Sequence, residues 1–283
     1  MLERYLPEHY KDVARFARKL HNFWYVRHII QWHSERLLPG DCFVWREDGR
    51  IAAFQAVAWL NPDDAFLWGM RVAPEFQNRG IASRFTRAMF PIIRKAGRTW
   101  AGLNTLDRAK PAPTFRVMEK LGFRVEGTSA TDIYWRKPRG EKRPRLHRFP
   151  GILDHWRKLG VPVYFHQKPG WLYSRLLPGR RAALDRNGFS LDGVPLHVRR
   201  FWEKSRVGRR FQAATVNFYD EPPDFARFAR RLLAAIPPKG YVTVNYPREW
   251  RLRFRAGVRA AVPGVRQNHG CWQSAWRVYG RKL

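Results

Sequence analysis

Acidic side chains are scarce in this sequence. It has 23 Asp and Glu against 54 Lys and Arg, a formal net charge of +31. That surplus exceeds what solubility needs and predicts an anionic partner. Cysteine is nearly absent: Cys42 and Cys271 are the two in the chain. Without a Cys/His cluster around them, they argue against a disulfide framework or a structural zinc site, so no metal is expected. No uninterrupted apolar run reaches the length of a membrane span. The start, Met1-Leu2-Glu3-Arg4-Tyr5, lacks the apolar stretch of a secretory signal. The expectation is a soluble, cytoplasmic protein with no membrane partner. Hydrophobic residues make up 45% of the chain, enough for a core, which excludes a disordered polyelectrolyte.

The shortage of acids is uneven. Residues 1–140 carry 24 Lys+Arg and 14 Asp+Glu, and residues 141–283 carry 30 and 9. An Arg-rich composition would account for the preference of Arg over Lys, but not for the missing acids of the second half. Arg suits bidentate phosphate contacts better than Lys does. The 283 residues allow two modest domains.

One stretch organises the first half. Ala65-Phe66-Leu67-Trp68-Gly69-Met70 is an apolar run short enough for a buried strand. Arg84 to Lys95 carries Phe85, Ala88, Met89, Ile92 and Ile93 at helical spacing. Between them, Val72 to Ser83 reads as a tight basic loop feeding a helix N-terminus. Backbone N–H groups converging there, with the helix's partial positive charge, make a site for a phosphate or pyrophosphate. Gly80 permits close backbone approach, Ala82 keeps the first turn small, and Arg79 adds charge.

Around this stretch the predicted order is β-α-α-β-β-β-α-β-α-β-β over residues 1–137. Helices run from Pro7 and from Phe23 to Leu37. Asp48-Gly49 marks a hairpin. Gly122–Glu126 and Asp132–Arg136 close the unit as a strand pair. A basic linker with Pro and Gly follows over 138–150, and a basic α+β domain over 151–283. The fold class is mixed α/β.

The string Val72-x-Pro74-x-x-Gln77-x-x-Gly80-x-Ala82, in that strand–loop–helix context, resembles the acyl-CoA loop of the GNAT superfamily of N-acyltransferases. Arg116 to Phe123, followed by Glu126-Gly127, is similar to the branch that acetylates N-terminal amines of ribosomal proteins. The resemblance covers residues 1–137 and implies a GNAT fold there, with acetyl-CoA or another acyl-CoA as cofactor. It implies that Met70 and Val72 meet the pantetheine through backbone groups. It further implies that Gln77, Asn78, Arg79, Gly80, Ile81 and Ala82 hold the pyrophosphate. Asn104 reads equally as a pantetheine contact or a strand-end turn residue. Three departures stand out. Met118 occupies the position where many relatives carry a thiolate-protonating Tyr, and Pro111 aligns with a frequent Asn. The usual strand Glu is also missing. Asp64, His33, Glu35 and Tyr134 are candidate bases or acids, though a surface or capping role is the commoner one for each. Tyr134, on the last strand, is the leading candidate for the thiolate acid.

In the second half, Phe211 to Tyr219 alternates like a strand. Phe225, Phe228, Ala229, Leu232, Leu233 and Ile236 form a helical stripe, Tyr241–Tyr246 reads as a strand, and Pro247 opens another helix. This strand–helix–strand–helix order repeats the first domain's back half. A diverged second GNAT-like unit and an unrelated α+β domain are both open readings. Asp220-Glu221-Pro222-Pro223 replaces the phosphate loop, and its prolines offer no N–H, so this half is not expected to bind acyl-CoA. Arg227, Arg230, Arg231, Arg248, Arg251, Arg255 and Arg259, with Trp156, Trp171, Trp202, Trp250, Trp272 and Trp276 interspersed, suit phosphate contact and base stacking. For any one of these residues, a solvated face or a core position is the commoner role.

Three functions fit. The first is an acetyl-CoA-dependent N-acyltransferase acting on an amine of a nucleic acid (DNA or RNA) or of a nucleic-acid-associated acceptor. The second acetylates a protein N-terminus or lysine while tethered to the ribosome or nucleic acid. The third is a non-catalytic nucleic-acid-binding protein with a vestigial GNAT domain.

Overall fold

The computed structural model describes residues 1–36, 38–106, 113–134, 144–161, 163–167, 172–175, 181–204, 210–235, 240–261 and 274–283. Pro111, Trp171, Cys271, Trp272 and linker residues 138–143 lie outside these, as do the side chains of Trp202 and Trp276. The chain divides into two compact units. One holds Met1–Asn104, Lys110–Val125 and Tyr279–Leu283, and the other holds Thr105–Ala109 and Glu126–Val278.

The first unit runs β1 (Leu2–Arg4), α1 (Tyr10–Lys19), α2 (Phe23–Ser34), β2 (Gly40–Glu47), β3 (Arg50–Trp59), β4 (Asp64–Val72), α3 (Ile81–Lys95), β5 (Trp100–Leu106) and α4 (Pro113–Lys120). Strands β1 to β4 are antiparallel neighbours, and β5 joins β4 in parallel after the α3 crossover. Asp48 and Gly49 both take positive φ, 48° and 71°, as a tight two-residue hairpin requires. β3 reads as an apolar run broken at Gln55 because it is buried from Ile51 to Ala58, with α1 and α3 both packed on it. Helix α3 buries Phe85, Met89 and Ile93 completely, the stripe its spacing predicts.

The second unit runs β6 (Arg124–Tyr134), β7 (His147–Arg148), α5 (Ile152–Lys158), β8 (Val163–Gln167), β9 (Leu172–Arg175), α6 (Arg181–Asp185), β10 (Gly188–Leu191), β11 (Val194–Lys204), β12 (Arg210–Asn217), α7 (Phe225–Ala235), β13 (Gly240–Tyr246) and α8 (Arg251–Ala261). β14 (Ser274–Lys282) ends the chain. The core lies between one sheet face and the helix pair α7–α8, around Phe218, Phe228, Tyr246 and Phe254.

The topology of the first unit recurs in the second. β7 pairs antiparallel with β10 as β1 does with β2, and β10, β11 and β12 are antiparallel neighbours like β2, β3 and β4. After α7, β13 returns parallel to β12, and α8 follows. Even the hairpin recurs: Asp192 and Gly193 repeat the positive φ values of Asp48 and Gly49.

The units do not coincide with the 1–137, 138–150 and 151–283 partition. The expected strand pair over 122–136 is one 11-residue strand, β6, whose Ala130–Tyr134 pairs with β13 of the second unit. Gly127-Thr128-Ser129 has turn-like composition, but burial continuous from Ser129 onward favours extension. The chain's last residues serve the first unit: Leu283 N–H donates to Thr99 O at 2.8 Å, and the Tyr279 ring packs 5.8 Å from Phe115.

Candidate active site

The site begins with an irregularity in β4. Phe54 of β3 faces Arg71 and Ala56 faces Trp68, so Gly69 and Met70 oppose Gln55 alone, a β-bulge. Gly69 takes φ +70°, and a Cβ there would come 2.4 Å from Ile29 Cδ1. Its bare backbone lets α2 lie directly on the bulge. The parallel register of β4 with β5 covers Asp64–Phe66 against Trp100–Gly102 and goes no further. Met70, Arg71 and Val72 lie beyond that pairing and are half-exposed. An extended chain such as pantetheine can meet their backbone groups there.

The loop follows at once. Pro74–Phe76 makes a 3₁₀ turn that buries Phe76, and Gln77 Nε2 donates to Val72 O at 3.2 Å. Asn78 and Gly80 both take left-handed φ, 62° and 72°, with Arg79 between them. Such left-handed turns gather successive N–H groups into an anion-binding concavity. Gly80 is the N-cap of α3 and has no side chain to cap it. The first N–H groups of α3, at Ile81 and Ala82, therefore add to the cradle. A Cβ on Gly80 would meet nothing within 4 Å, so space for an anion remains over it. Cations surround this loop: Arg79 Cζ and Arg50 Cζ each lie 5.3 Å from the Phe76 ring, and Arg84 binds Glu47 at 2.7 Å. Arg79 is loosely held, 3.9 Å from an exposed Asp48, which leaves it available to a phosphate. The donor set fits a pyrophosphate.

The expected acid–base residues are each held in other contacts. Asp64 is fully buried; its Oδ2 accepts from Asn61 Nδ2 at 2.7 Å, and its N–H donates to Asn61 Oδ1 at 2.8 Å. It buttresses the turn into β4, six residues before Met70, about 20 Å away along a strand. The base role is withdrawn. Tyr134 is 1% exposed, in the second unit's core, its hydroxyl 3.4 Å from the Asp132 carboxylate. Burial first, then the Asp132 charge, push its phenol well above the ordinary range. A sealed phenol cannot meet a leaving thiolate, so that role is withdrawn as well. His33 is pushed down to about 4 by burial and is wedged against the backbone of Gly40. Glu35 is exposed and takes a hydrogen bond from Gln31 at 2.8 Å. Met118 is 3% exposed and packs in the core. Asn104 lies in β5, past the β4 pairing.

Sequence reading missed the ring cluster beside the bulge. Tyr25, His28 and Trp32 share one face of α2, and Trp68 precedes the bulge. The i, i+3, i+7 aromatic spacing on α2 was the available signal.

The equivalent place in the second unit is closed. β12 and β13 stay paired through six residues, Gln212–Asn217 against Gly240–Tyr246's first six, with no bulge. Asp224 Oδ1 accepts from the N–H groups of Ala226 and Arg227, so a carboxylate already fills the N-terminus of α7. The basic residues of this unit also sort themselves. Arg255 is not a phosphate ligand: its Nε lies 2.9 Å from Oδ2 of the fully buried Asp132, which Tyr246 also binds at 2.5 Å. Arg231 pairs with Asp192. Arg251 is half-buried. Arg227, Arg230, Arg248 and Arg259 are exposed. Trp156 is fully buried, and Trp250 stacks on Phe218 at 5.9 Å. These two indoles serve the core rather than nucleobases.

Residues 4–123 match the model of the acetyltransferase (GNAT) family. Among solved structures, the fold is similar to a proposed acetyltransferase from Pyrococcus horikoshii, with 11% identity, 100% of this chain and 89% of that chain covered, and a TM-score of 0.52. A GCN5-related N-acetyltransferase from Anabaena variabilis covers 100% of this chain and 72% of its own at 13% identity and a TM-score of 0.47. A proposed acetyltransferase from Thermoplasma acidophilum covers 86% and 78% at 13% identity and a TM-score of 0.47. Among curated proteins no match is found. The Pyrococcus likeness spans both units and speaks to the fold alone. No helix among the described residues is long and apolar enough to cross a membrane.

Proposed function

Residues 4–123 of this chain form an acetyltransferase domain of the GNAT family, and from that premise we propose that the protein transfers an acyl group from acyl-CoA to an amine of a nucleic acid or a nucleic-acid-associated acceptor. The observation that carries the donor half is the loop. Asn78 and Gly80 in left-handed conformation and an uncapped α3 stand where β4 leaves its pairing with β5. Bound there, acetyl-CoA supplies an acetyl group on a thioester. Backbone N–H groups of residues 78–82 and the Arg79 guanidinium bind its pyrophosphate. The bulge leaves Gly69 and Met70 opposite Gln55 alone in the β3 ladder, and a backbone N–H at Met70 or Arg71 can polarise a carbonyl. With Asp64 and Tyr134 sealed in cores, rate enhancement rests on positioning and on that backbone donor. The amine's proton leaves through water.

The acceptor half rests on charge. A net +31 and exposed Arg227, Arg230, Arg248 and Arg259 on or beside α7 and α8 favour a polyanion. A second reading, a protein amine with the basic half as tether, is favoured by Arg116–Phe123, the end of α4 and the turn after it.

The test is transfer from acetyl-labelled acetyl-CoA to a pool of duplex DNA, tRNA, ribosomal protein and small amines, beside Gly80→Glu. Label on nucleic acid that the substitution abolishes is expected. Label on protein alone supports the second reading. Intact acetyl-CoA binding with no label on any acceptor would sink the enzymatic reading.

A further inference from the structure

The second unit holds a cavity that the donor site does not use. Its volume is about 360 Å³, and among the described residues Pro144, Arg145, Leu146, Phe189, Arg200 and Ala235 line it. That is the size of a small-molecule site. It lies on the α7 face of the sheet. Val194, Leu196 and Val198 of β11 are buried there against α7, and Arg200, the next residue of that alternation, continues their face. The period calls for an apolar side chain at this position, and an exposed guanidinium stands there instead. Small neighbours make the room: Ala214 faces Arg200 across the β11–β12 ladder, and Ala235 is the last residue of α7. Leu146 and Phe189 pack against the α7–α8 core and give the cavity an apolar floor.

Its charge is unbalanced. Arg145 and Arg200 are both exposed, and among the described residues neither has an ion pair, a hydrogen bond or a ring contact. None of the six lining residues is acidic. Arg148, beside the floor, is already engaged: it lies 5.1 Å over the Phe189 ring and donates to Arg186 O at 2.6 Å. The carbonyls at the end of α7 carry about half a negative charge, which two guanidiniums outweigh about fourfold. Nor is the cavity a relic of an acyl-CoA loop. The counterpart of that loop is the N-terminus of α7, which Asp224 caps. The 11 residues of α7 set the cavity about 16 Å from it.

We infer that this cavity binds a small organic anion, an oxyanion head on a hydrocarbon body. Arg145 and Arg200 meet the head, since the guanidinium fork matches a carboxylate or a phosphate. The body lies against Leu146, Phe189 and Ala235 and removes their apolar surface from water. An inorganic anion leaves that floor wet, and a neutral apolar molecule leaves both charges unmatched, so only a ligand with both parts satisfies the lining. The inference does not rest on the acyltransfer reading, which concerns the other unit.

The experiment uses the full chain saturated with CoA, so that the pyrophosphate loop is occupied. The probes are 2-naphthoate and 2-naphthyl phosphate, which carry the two heads on one body. The controls are 2-naphthalenemethanol, which lacks the charge, and acetate and inorganic phosphate, which lack the body. Titration followed by ligand-observed NMR should show one or both probes bound about tenfold more tightly than every control, and the tighter of the two identifies the head. Arg145→Gln and Arg200→Gln should each weaken that probe severalfold, with melting and the calorimetric Kd for CoA unchanged. Arg157→Gln, an exposed residue of α5, tests for attraction to the general positive charge and should leave the probe's Kd as it is. Binding of a control as tight as that of the probes overturns the inference. So does probe binding that neither Arg145→Gln nor Arg200→Gln moves, or that Arg157→Gln weakens equally.

Discussion

At Gly80 the backbone, rather than the space around it, resists a side chain. Its φ of 72° costs an L-residue about 1–2 kcal/mol, yet no atom lies within 4 Å of a Cβ there. Gly80→Ala is therefore expected to lower stability by about that amount and still bind acetyl-CoA. Gly80→Glu adds a carboxylate to the cradle and should weaken the calorimetric Kd at least tenfold. Equal affinities of the two variants would remove the loop from the binding site. Asp64→Ala removes the buried carboxylate that accepts from Asn61 Nδ2 and should cost about 1–3 kcal/mol, leaving kcat/KM for acetyl-CoA unchanged in the folded fraction. A loss of kcat with unaltered melting would restore Asp64 as a base. His33 and His197 are held neutral by burial, which lowers them to about 4 and about 3. Their contribution is full above the unfolded value of about 6.5 and is lost as pH falls from there toward the folded values. Each adds a slope of about 1.4 kcal/mol per pH unit in that window. Urea unfolding between pH 7 and pH 5 should show the slope, and His197→Gln should reduce it.

Among the elements, α2 and β4 depend on each other through one atom's width. Gly69→Ala brings a Cβ to 2.4 Å from Ile29 Cδ1 and strains a φ of 70°. It should cost about 1–3 kcal/mol by overpacking, part of which Ile29→Val, lacking that methyl, recovers. A double variant no more stable than Gly69→Ala would show that the strain is in the backbone alone. The helical spacing on α2 and α3 and the Asp48-Gly49 hairpin were legible because they are local. The bulge was not: Gly69 inside an apolar run reads as strand, and its extra residue appears only when β3 sets the register.

For the whole molecule, the positive charge has two fates. Arg255 is bound to a fully buried Asp132. Arg255→Met should lower stability by about 3–5 kcal/mol, because an uncompensated carboxylate is left behind, without changing the salt dependence of DNA or RNA binding. Arg227, Arg230 and Arg259 are exposed. Replacing all three by Ala should leave melting unaltered and flatten the log Kd against log salt slope by about three. A slope unmoved by the triple variant would argue for a different acidic partner.

Sequence alone determined the strand–loop–helix around Gly80, the order of elements as far as α4 and the excess of charge. Each depends on neighbours in the chain or on composition: Gly80 and Asn78 accept left-handed backbone, and Pro222 and Pro223 withhold N–H groups. Tertiary structure alone decided what each polar residue does. Asp64, Tyr134 and Arg255 were chosen by type, and all three are consumed by buried partners: Asp64 by Asn61 across a turn, Tyr134 by Asp132 on its own strand, and Arg255 by the same Asp132 reached from α8. It also decided that β4 parts from β5 while β12 and β13 remain paired, a difference of register that no single strand carries. The rings of α2 became a ladder only when Trp68 arrived from β4, because stacking needs two elements and sequence spacing describes one.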